Sequence, residues 1–437
     1  MTEAAGGANA GVRAGANGRR AGRTRGAAGD QAAAGRRART GVLLVNTGTP
    51  EEPTPAAVRA YLGRFLMDPR IAPMNRVLWW CILHLFILPK RAVASAEKYQ
   101  AIWTPEGSPL IVAHERLSQG LAAYYRERGL DVEVHFAMSY SAPTLPHAVR
   151  DLRASGCDSL VVLPLYPQSA YSTTGAVSDG VARAVRKARF KGEVTVIDNY
   201  HDDPVYLRAI AASVKRAGFE VDSDDRLLFS FHSIPLSDIE RGDTYELQTG
   251  ATSLGVANEL GLERRRWTVA YQCRFDKGRE WLAPFASQKL ASWAESGARS
   301  RVFMVCPNFA VDCLETLYDV ERELKPGYLA ALRAAGAGAE GKGGAGAKRE
   351  TSVPRVAKGA GAQGEPGAVR MAKGAGAHAA RAVREAPEVR EAFTYVPCLN
   401  KSKAHLRVLA HVLAPYVGDA LDEDRAGAAE SARKDER

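Results

Sequence analysis

The chain has 437 residues, 46% of them hydrophobic and 25% charged, long enough for two domains with sizeable cores and ordinary for a soluble globular protein. Its net charge of +10 sits in two compositionally odd stretches: residues 1–40 hold eight Arg against two acids (+6), and residues 340–392 hold ten Lys or Arg against six acids (+4). The remainder is neutral, which excludes a basic groove in the folded part and with it a nucleic-acid partner.

In chain order, residues 1–40 read as a disordered basic arm rich in Ala, Gly and Arg, and no apolar stretch follows its arginines, so a secretory leader is not expected. From residue 41 onward short apolar runs alternate with amphipathic stretches. The apolar runs predict strands at 41–46, 132–138, 159–165, 194–198, 226–231, 268–272, 301–306 and 393–396. Helical spacing is read at 143–154, 176–190, 204–217, 244–260, 280–296, 311–323 and 404–417. This alternation predicts an α/β fold of two doubly wound, Rossmann-like halves with parallel four-stranded sheets. The expected division is a first domain over 41–190, with helix 404–417 returning to it, and a second over 191–333 and 393–403.

Three segments stand apart from the pattern. The run from Val77 to Leu88 is twelve apolar residues carrying two Trp and His84, followed by Pro89, Lys90 and Arg91. It is too short to span a bilayer of roughly 30 Å, and reads either as a buried core helix or as an interfacial lip. Residues 334–392 are almost free of large apolar groups and repeat Ala-Lys-Gly-Ala-Gly-Ala at 357 and 372, so they read as a low-complexity insertion; 418–437 read as a disordered tail. The six Cys, at 81, 157, 273, 306, 313 and 398, show no metal-binding spacing and suit a reducing cytoplasm.

The residues able to do chemistry fall after the apolar strands. The first strand runs into Asn46-Thr47-Gly48-Thr49-Pro50 and not into GxGxxG, which disfavours a dinucleotide enzyme. Tyr166, Gln168, Tyr171 and nearby hydroxyls suit a flat apolar ligand with a polar edge. His232 ends a strand otherwise built of Leu and Phe, where a lone imidazole is either a structural hydrogen-bonding group or a proton acceptor. On a helix over 311–323, Asp312, Glu315, Asp319 and Glu323 fall at i, i+3, i+7 and i+11, one stripe of carboxylates: a solvated face, or a route for metal or protons.

Taken in order, Leu44-Val45-Asn46-Thr47-Gly48-Thr49-Pro50, Gly107-Ser108-Pro109, Ala137-Met138-Ser139-Tyr140, Tyr166-Pro167-Gln168, Phe231-His232-Ser233-Ile234-Pro235, Gly242-Asp243, Trp281-Leu282 and Asp312-Cys313-Leu314-Glu315-Thr316-Leu317 resemble the ferrochelatase family, over residues 41–330 and 393–417. The resemblance implies a chelatase-like fold and insertion of Fe2+ into protoporphyrin IX with release of two protons, the last step of haem synthesis. It implies His232 and Glu315 as catalytic and metal-contacting groups and Asp312 as their orienting acid. Tyr140, Tyr166 and Trp281 would grip the macrocycle, Ser108 a propionate, while Asp319 and Glu323 would extend the acidic route. Fe2+ is then a substrate, with no resident cofactor and no iron–sulfur cluster, since the Cys-rich tail of animal members has no counterpart.

Other expectations are a monomer, a cytoplasmic enzyme peripheral at the inner face of the membrane, and membrane contact through the run from Val77 to Leu88. Ser233 where relatives carry Gly, Thr244 after Gly242-Asp243 where they carry Pro, Cys313 where animal members have a second His, and Ser169 after Pro167-Gln168 depart from the familiar pattern. The alternatives are a coproporphyrin III ferrochelatase and a non-catalytic tetrapyrrole or metal carrier on the same fold.

Overall fold

A computed structural model describes residues 13–15, 39–272, 274, 276, 278–296, 300–340 and 392–419. The readings of the rest of the arm, of 341–391 within the insertion and of the tail beyond 419 lie outside the described residues. The first sheet contains β1 (Arg13–Gly15), β2 (Thr40–Asn46), β3 (Val132–Met138), β4 (Ser159–Pro164) and β5 (Glu193–Ile197) in the order β1-β5-β4-β2-β3. The second contains β6 (Arg226–Phe231), β7 (Trp267–Tyr271), β8 (Val302–Val305) and β9 (Phe393–Val396) in the order β7-β6-β8-β9. Every pairing is parallel.

The inner strands β2, β4 and β8 are nearly continuous buried apolar runs because both faces are covered, whereas edge strand β3 carries Glu133 and His135 on a half-buried face. Along β2, Val42 and Leu44 point to one core and Leu43 and Val45 to another, all four fully buried. The same alternation holds in β8, where Phe303 and Val305 join the first of these cores and Val302 and Met304 face outward onto the helices Ala286–Glu295 and Lys325–Glu340. One core, made by the inner faces of both sheets with the helices Pro109–Glu127, Pro204–Arg216, Tyr245–Leu260 and Lys403–Val417, therefore joins the two halves.

Several boundaries differ from expectation. β5 hydrogen-bonds to β4, so the first sheet extends past residue 190 and the crossing follows Ile197. A fifth strand, β1, adds to the edge of that sheet from within the expected arm, its backbone pairing with Thr195–Ile197. The helix starting at Lys325 continues to Glu340, into the segment read as insertion from 334, because an Ala-rich stretch propagates helix at little cost. The helix expected from 280 begins at Ala286, since 280–285 run extended and bridge to Pro235 and Tyr271.

A helical hairpin absent from the expectations precedes the third strand. Thr54 caps Pro55–Leu66 by accepting from the Ala57 N–H, and Asn75 caps a continuous helical stretch, Arg76–Ile102, that passes through a π-helical turn at Leu83–Ile87. This stretch holds the apolar run from Val77 to Leu88 and, by length and composition alone, is long enough to cross a membrane. Its inner side packs on Tyr61, Leu62 and Leu66, whereas Val77 is 75% and Phe86 70% exposed, with Leu78, Trp80 and Leu85 also exposed. Plain core is thereby corrected to an apolar lip.

Phe303 is 1% exposed and meets Phe219 edge-on at 5.3 Å in the shared core. Phe303→Ala should lower unfolding free energy by about 3–5 kcal/mol, the sum of lost transfer and an unfilled cavity; denaturant titration of the purified chain checks this.

Candidate active site

In each half the chain leaves one strand, adds a neighbour on one side, then crosses to the other, and this reversal happens at β2 and at β6. Ligand crevices of open α/β sheets lie outside the carboxyl ends of such strands. Here those ends are Asn46 and Phe231, and the next residues, Thr47-Gly48-Thr49 and His232-Ser233, line a single cavity of about 480 Å3. Gly48 is required there: its φ is +113°, and a Cβ would lie 2.5 Å from Ser141 Oγ.

His232 and Glu315 line this same cavity. His232 Nδ1 is 2.6 Å from the Ser233 carbonyl, which only accepts, so Nδ1 carries the proton and the neutral ring keeps Nε2 as its basic atom. The loop is stitched in place: Tyr245 donates to the His232 carbonyl (2.9 Å), Ser233 Oγ to the Leu282 carbonyl (2.8 Å) and the Leu282 N–H to the Ile234 carbonyl (2.9 Å). Ser233, a departure from relatives, is thus buried and adds a hydrogen bond on the side leading to Trp281. Trp281 lines the cavity, its ring 4.9 Å from the Arg279 guanidinium.

The acidic helix differs from the expected α-helix over 311–323. It begins at Glu315 and is π-helical to Leu324, a wide-turned form common at functional positions. Asp312 lies in the loop before it and leaves the stripe with three members. Its carboxylate is 8% exposed and accepts from Tyr395 Oη (2.6 Å), Asn400 Nδ2 (2.6 Å) and Thr316 Oγ1 (3.0 Å). Thr316 Oγ1 in turn accepts from the Cys313 N–H at 3.0 Å. Asp312 therefore sets the turn that launches Glu315 while staying off the cavity wall. Cys313 lines the wall beside Glu315, and burial, then that carboxylate, pushes its thiol well up.

Asp319 lines the cavity and Glu323 lies further out on the same helix. Both accept from Lys98 of the lip stretch, at 2.9 and 2.7 Å. Burial pushes the Asp319 carboxyl up to about 6, with Lys98 pulling the other way and Glu315 and Glu323 adding to the rise.

Tyr166 and Ser108 also line the cavity; Tyr166 Oη lies 2.6 Å from Thr47 Oγ1 and Ser108 Oγ donates to Thr49 Oγ1 at 3.1 Å. Tyr140 does not line it. Its hydroxyl donates to Asp68 (2.9 Å) and its ring stands edge-on to Phe65 at 5.2 Å, so Phe65 meets the ligand space and Tyr140 supports it from behind. Ser169 belongs to a separate small cavity with Tyr171 and Asp243 and leaves the main wall untouched.

Sequence reasoning missed Tyr61, Phe65, Arg70, Arg91, Lys98, Tyr99, Arg274 and Arg279, all on the cavity wall. One signal was present: Arg91, Ala94, Ser95, Lys98 and Ile102 follow helical spacing and form the inward face of the lip stretch. Among the described residues no three His, Cys, Asp or Glu side chains converge to cage a metal, so His232 and Glu315 stand as a pair of groups in a slot.

Fold and slot define an α/β enzyme that works on a ligand held at the carboxyl ends of its strands. The ferrochelatase family model matches residues 39–332. Ferrochelatases of Nitrosococcus oceani (43% identical over 292 residues, 67% of this chain and 79% of the relative), Azoarcus sp. (44% over 297, 68% and 81%) and Haemophilus influenzae (40% over 292, 67% and 89%) are similar throughout that region. The chain belongs to the ferrochelatase family. It is a metal-chelatase lyase of haem synthesis that takes Fe2+ and a porphyrin as substrates.

Removing the only ring base that these loops bring to the slot tests its role. His232→Ala should lower insertion at least 100-fold, the usual range for a lost proton acceptor, while porphyrin affinity, read by fluorescence quenching, changes by less than about threefold.

Proposed function

We propose that the porphyrin is protoporphyrin IX, and that His232 and Glu315 carry out the insertion. Two pyrrole N–H bonds break and four Fe–N bonds form, so two protons must leave the ring. In this reading the neutral His232 Nε2 accepts pyrrole protons, Glu315 meets the metal or relays a proton, and Asp312 holds Glu315 in register. Phe65, Tyr166 and Trp281 grip and bend the ring, directing binding energy into distortion. Asp319 and Glu323 bring hydrated Fe2+ inward through weak, exchangeable oxygen contacts. Ser108, buried with Thr49, holds a propionate edge.

The observation that carries the choice of substrate is the exposed apolar lip, because its later turns, from Arg91 to Ile102, form the cavity wall. A macrocycle with two propionates and vinyl groups suits that approach better than one with four propionates. The same lip, with Trp80 exposed and Arg76 and Lys90 beside it, supports peripheral contact with the inner face of the membrane. The five described cysteines are free thiols, in keeping with a cytoplasmic enzyme; we read it as a monomer that holds neither a resident cofactor nor an iron–sulfur cluster.

A coproporphyrin III enzyme is the nearer alternative, and a carrier is disfavoured by a ring base and a carboxylate sharing one slot. Anaerobic Fe2+ supplied with each porphyrin in turn separates these readings: protoporphyrin should give the higher kcat/KM by at least tenfold. A preference for coproporphyrin would overturn the substrate choice, and no insertion into either would favour the carrier.

A pH effect follows from Asp319. Its carboxylate is lost as pH falls through about 6, so KM for the metal should rise below that pH. Asp319→Asn should flatten this rise; the check is initial rates of Zn2+ insertion from pH 5 to 8, each variant against wild type.

A further inference from the structure

The acidic stripe is already occupied by a cation of the chain itself. Lys98 Nζ lies 2.9 Å from Asp319 Oδ1, 2.7 Å from Glu323 Oε1 and 4.9 Å from the centre of the Tyr318 ring, three groups of one π-helix gathered round one ammonium. The lysine comes from a different element, the lip stretch, and lines the cavity beside Asp319. Its side chain and that of Asp319 are largely shielded from solvent, whereas Glu323 is about half exposed.

We propose that Lys98 is a resident placeholder cation: its ammonium fills the position between Asp319 and Glu323 that an incoming divalent metal must take, and so sets the metal affinity of the route. The inference rests on the reading of those two carboxylates as the metal's approach. Without the ammonium, Glu315, Asp319 and Glu323 would stack three like charges within a few turns of one helix, a site that would retain any divalent ion. With it, the stripe is neutralised while empty. The long flexible stem lets the ammonium swing aside, and a divalent ion gains more from the two carboxylates than the single charge it displaces. Stability alone is a weak reason for the arrangement, since partly exposed ion pairs contribute roughly 0–1 kcal/mol.

The experiment is Mn2+ binding to the purified full chain without porphyrin, followed by loss of the free-ion EPR signal. Lys98→Met should bind Mn2+ about tenfold more tightly than wild type, and Lys98→Arg, which keeps the charge, within about twofold of it. Combining Lys98→Met with Glu323→Gln should remove most of the gain. In turnover assays Lys98→Met should lower KM for Fe2+. If Lys98→Met fails to fold, Lys98→Gln replaces it with the same expectation.

The possible failures are distinguishable. Unchanged or weaker Mn2+ binding in Lys98→Met, alongside weakened binding in Asp319→Asn and Glu323→Gln, overturns the placeholder role and leaves the route standing. Mn2+ binding unaffected by either acid substitution overturns the route and the inference together.

Discussion

Everything in this molecule depends on one shared apolar core. The inner faces of both sheets, with residues such as Val42, Leu44, Phe229 and Phe303, pack with four helices into a single cluster, and this holds the two doubly wound halves at one separation. Because both sheets are parallel, all their strands end on the same sides as their neighbours, and the two reversal points bring Thr47-Gly48-Thr49 and His232-Ser233 to one cavity. A slot between halves, with walls from both, follows from that packing and from no single motif.

Within the slot, the polar groups are held in place by neighbouring hydrogen bonds. The Ser233 carbonyl selects the tautomer of His232, and Asp312, gripped by Tyr395, Asn400 and Thr316, fixes the turn from which Glu315 projects. Buried carboxylates are tolerable only when supplied with donors, and Asp312 has three from side chains. A cavity-lining carboxylate, Glu315, and an anchored one, Asp312, thus sit three residues apart, and their surroundings separate them.

Much of the frame was legible beforehand. Strands such as Thr40–Asn46, Arg226–Phe231 and Val302–Val305 match the apolar runs to within a residue because a doubly covered strand leaves no polar face to blur its edges. His232, Glu315, Tyr166, Trp281 and Ser108, which line the cavity, were picked out because they lie in short motifs of a few consecutive residues. Tyr140 was placed on the wall and lies behind it, whereas Asp312, read as an orienting acid on the helix stripe, lies in the loop before the helix, since sequence marks a residue without saying whether it meets the ligand or supports the one that does. The lip hairpin's inward residues, Phe65, Arg91 and Lys98 among them, were missed because helical spacing shows that they share a face and not what that face meets.

By itself the sequence determined the α/β class, the parallel strands, the family and the imidazole–carboxylate pair, because local periodicity and short motifs are written over a few consecutive residues. Only the tertiary structure decided that the acidic helix is π-helical from Glu315, that the apolar run is an exposed lip, and that Lys98 closes on acids more than 200 residues away. The reason is physical: exposure and ion pairing depend on which surfaces the folded chain brings together, and no spacing along the chain encodes a contact across that distance.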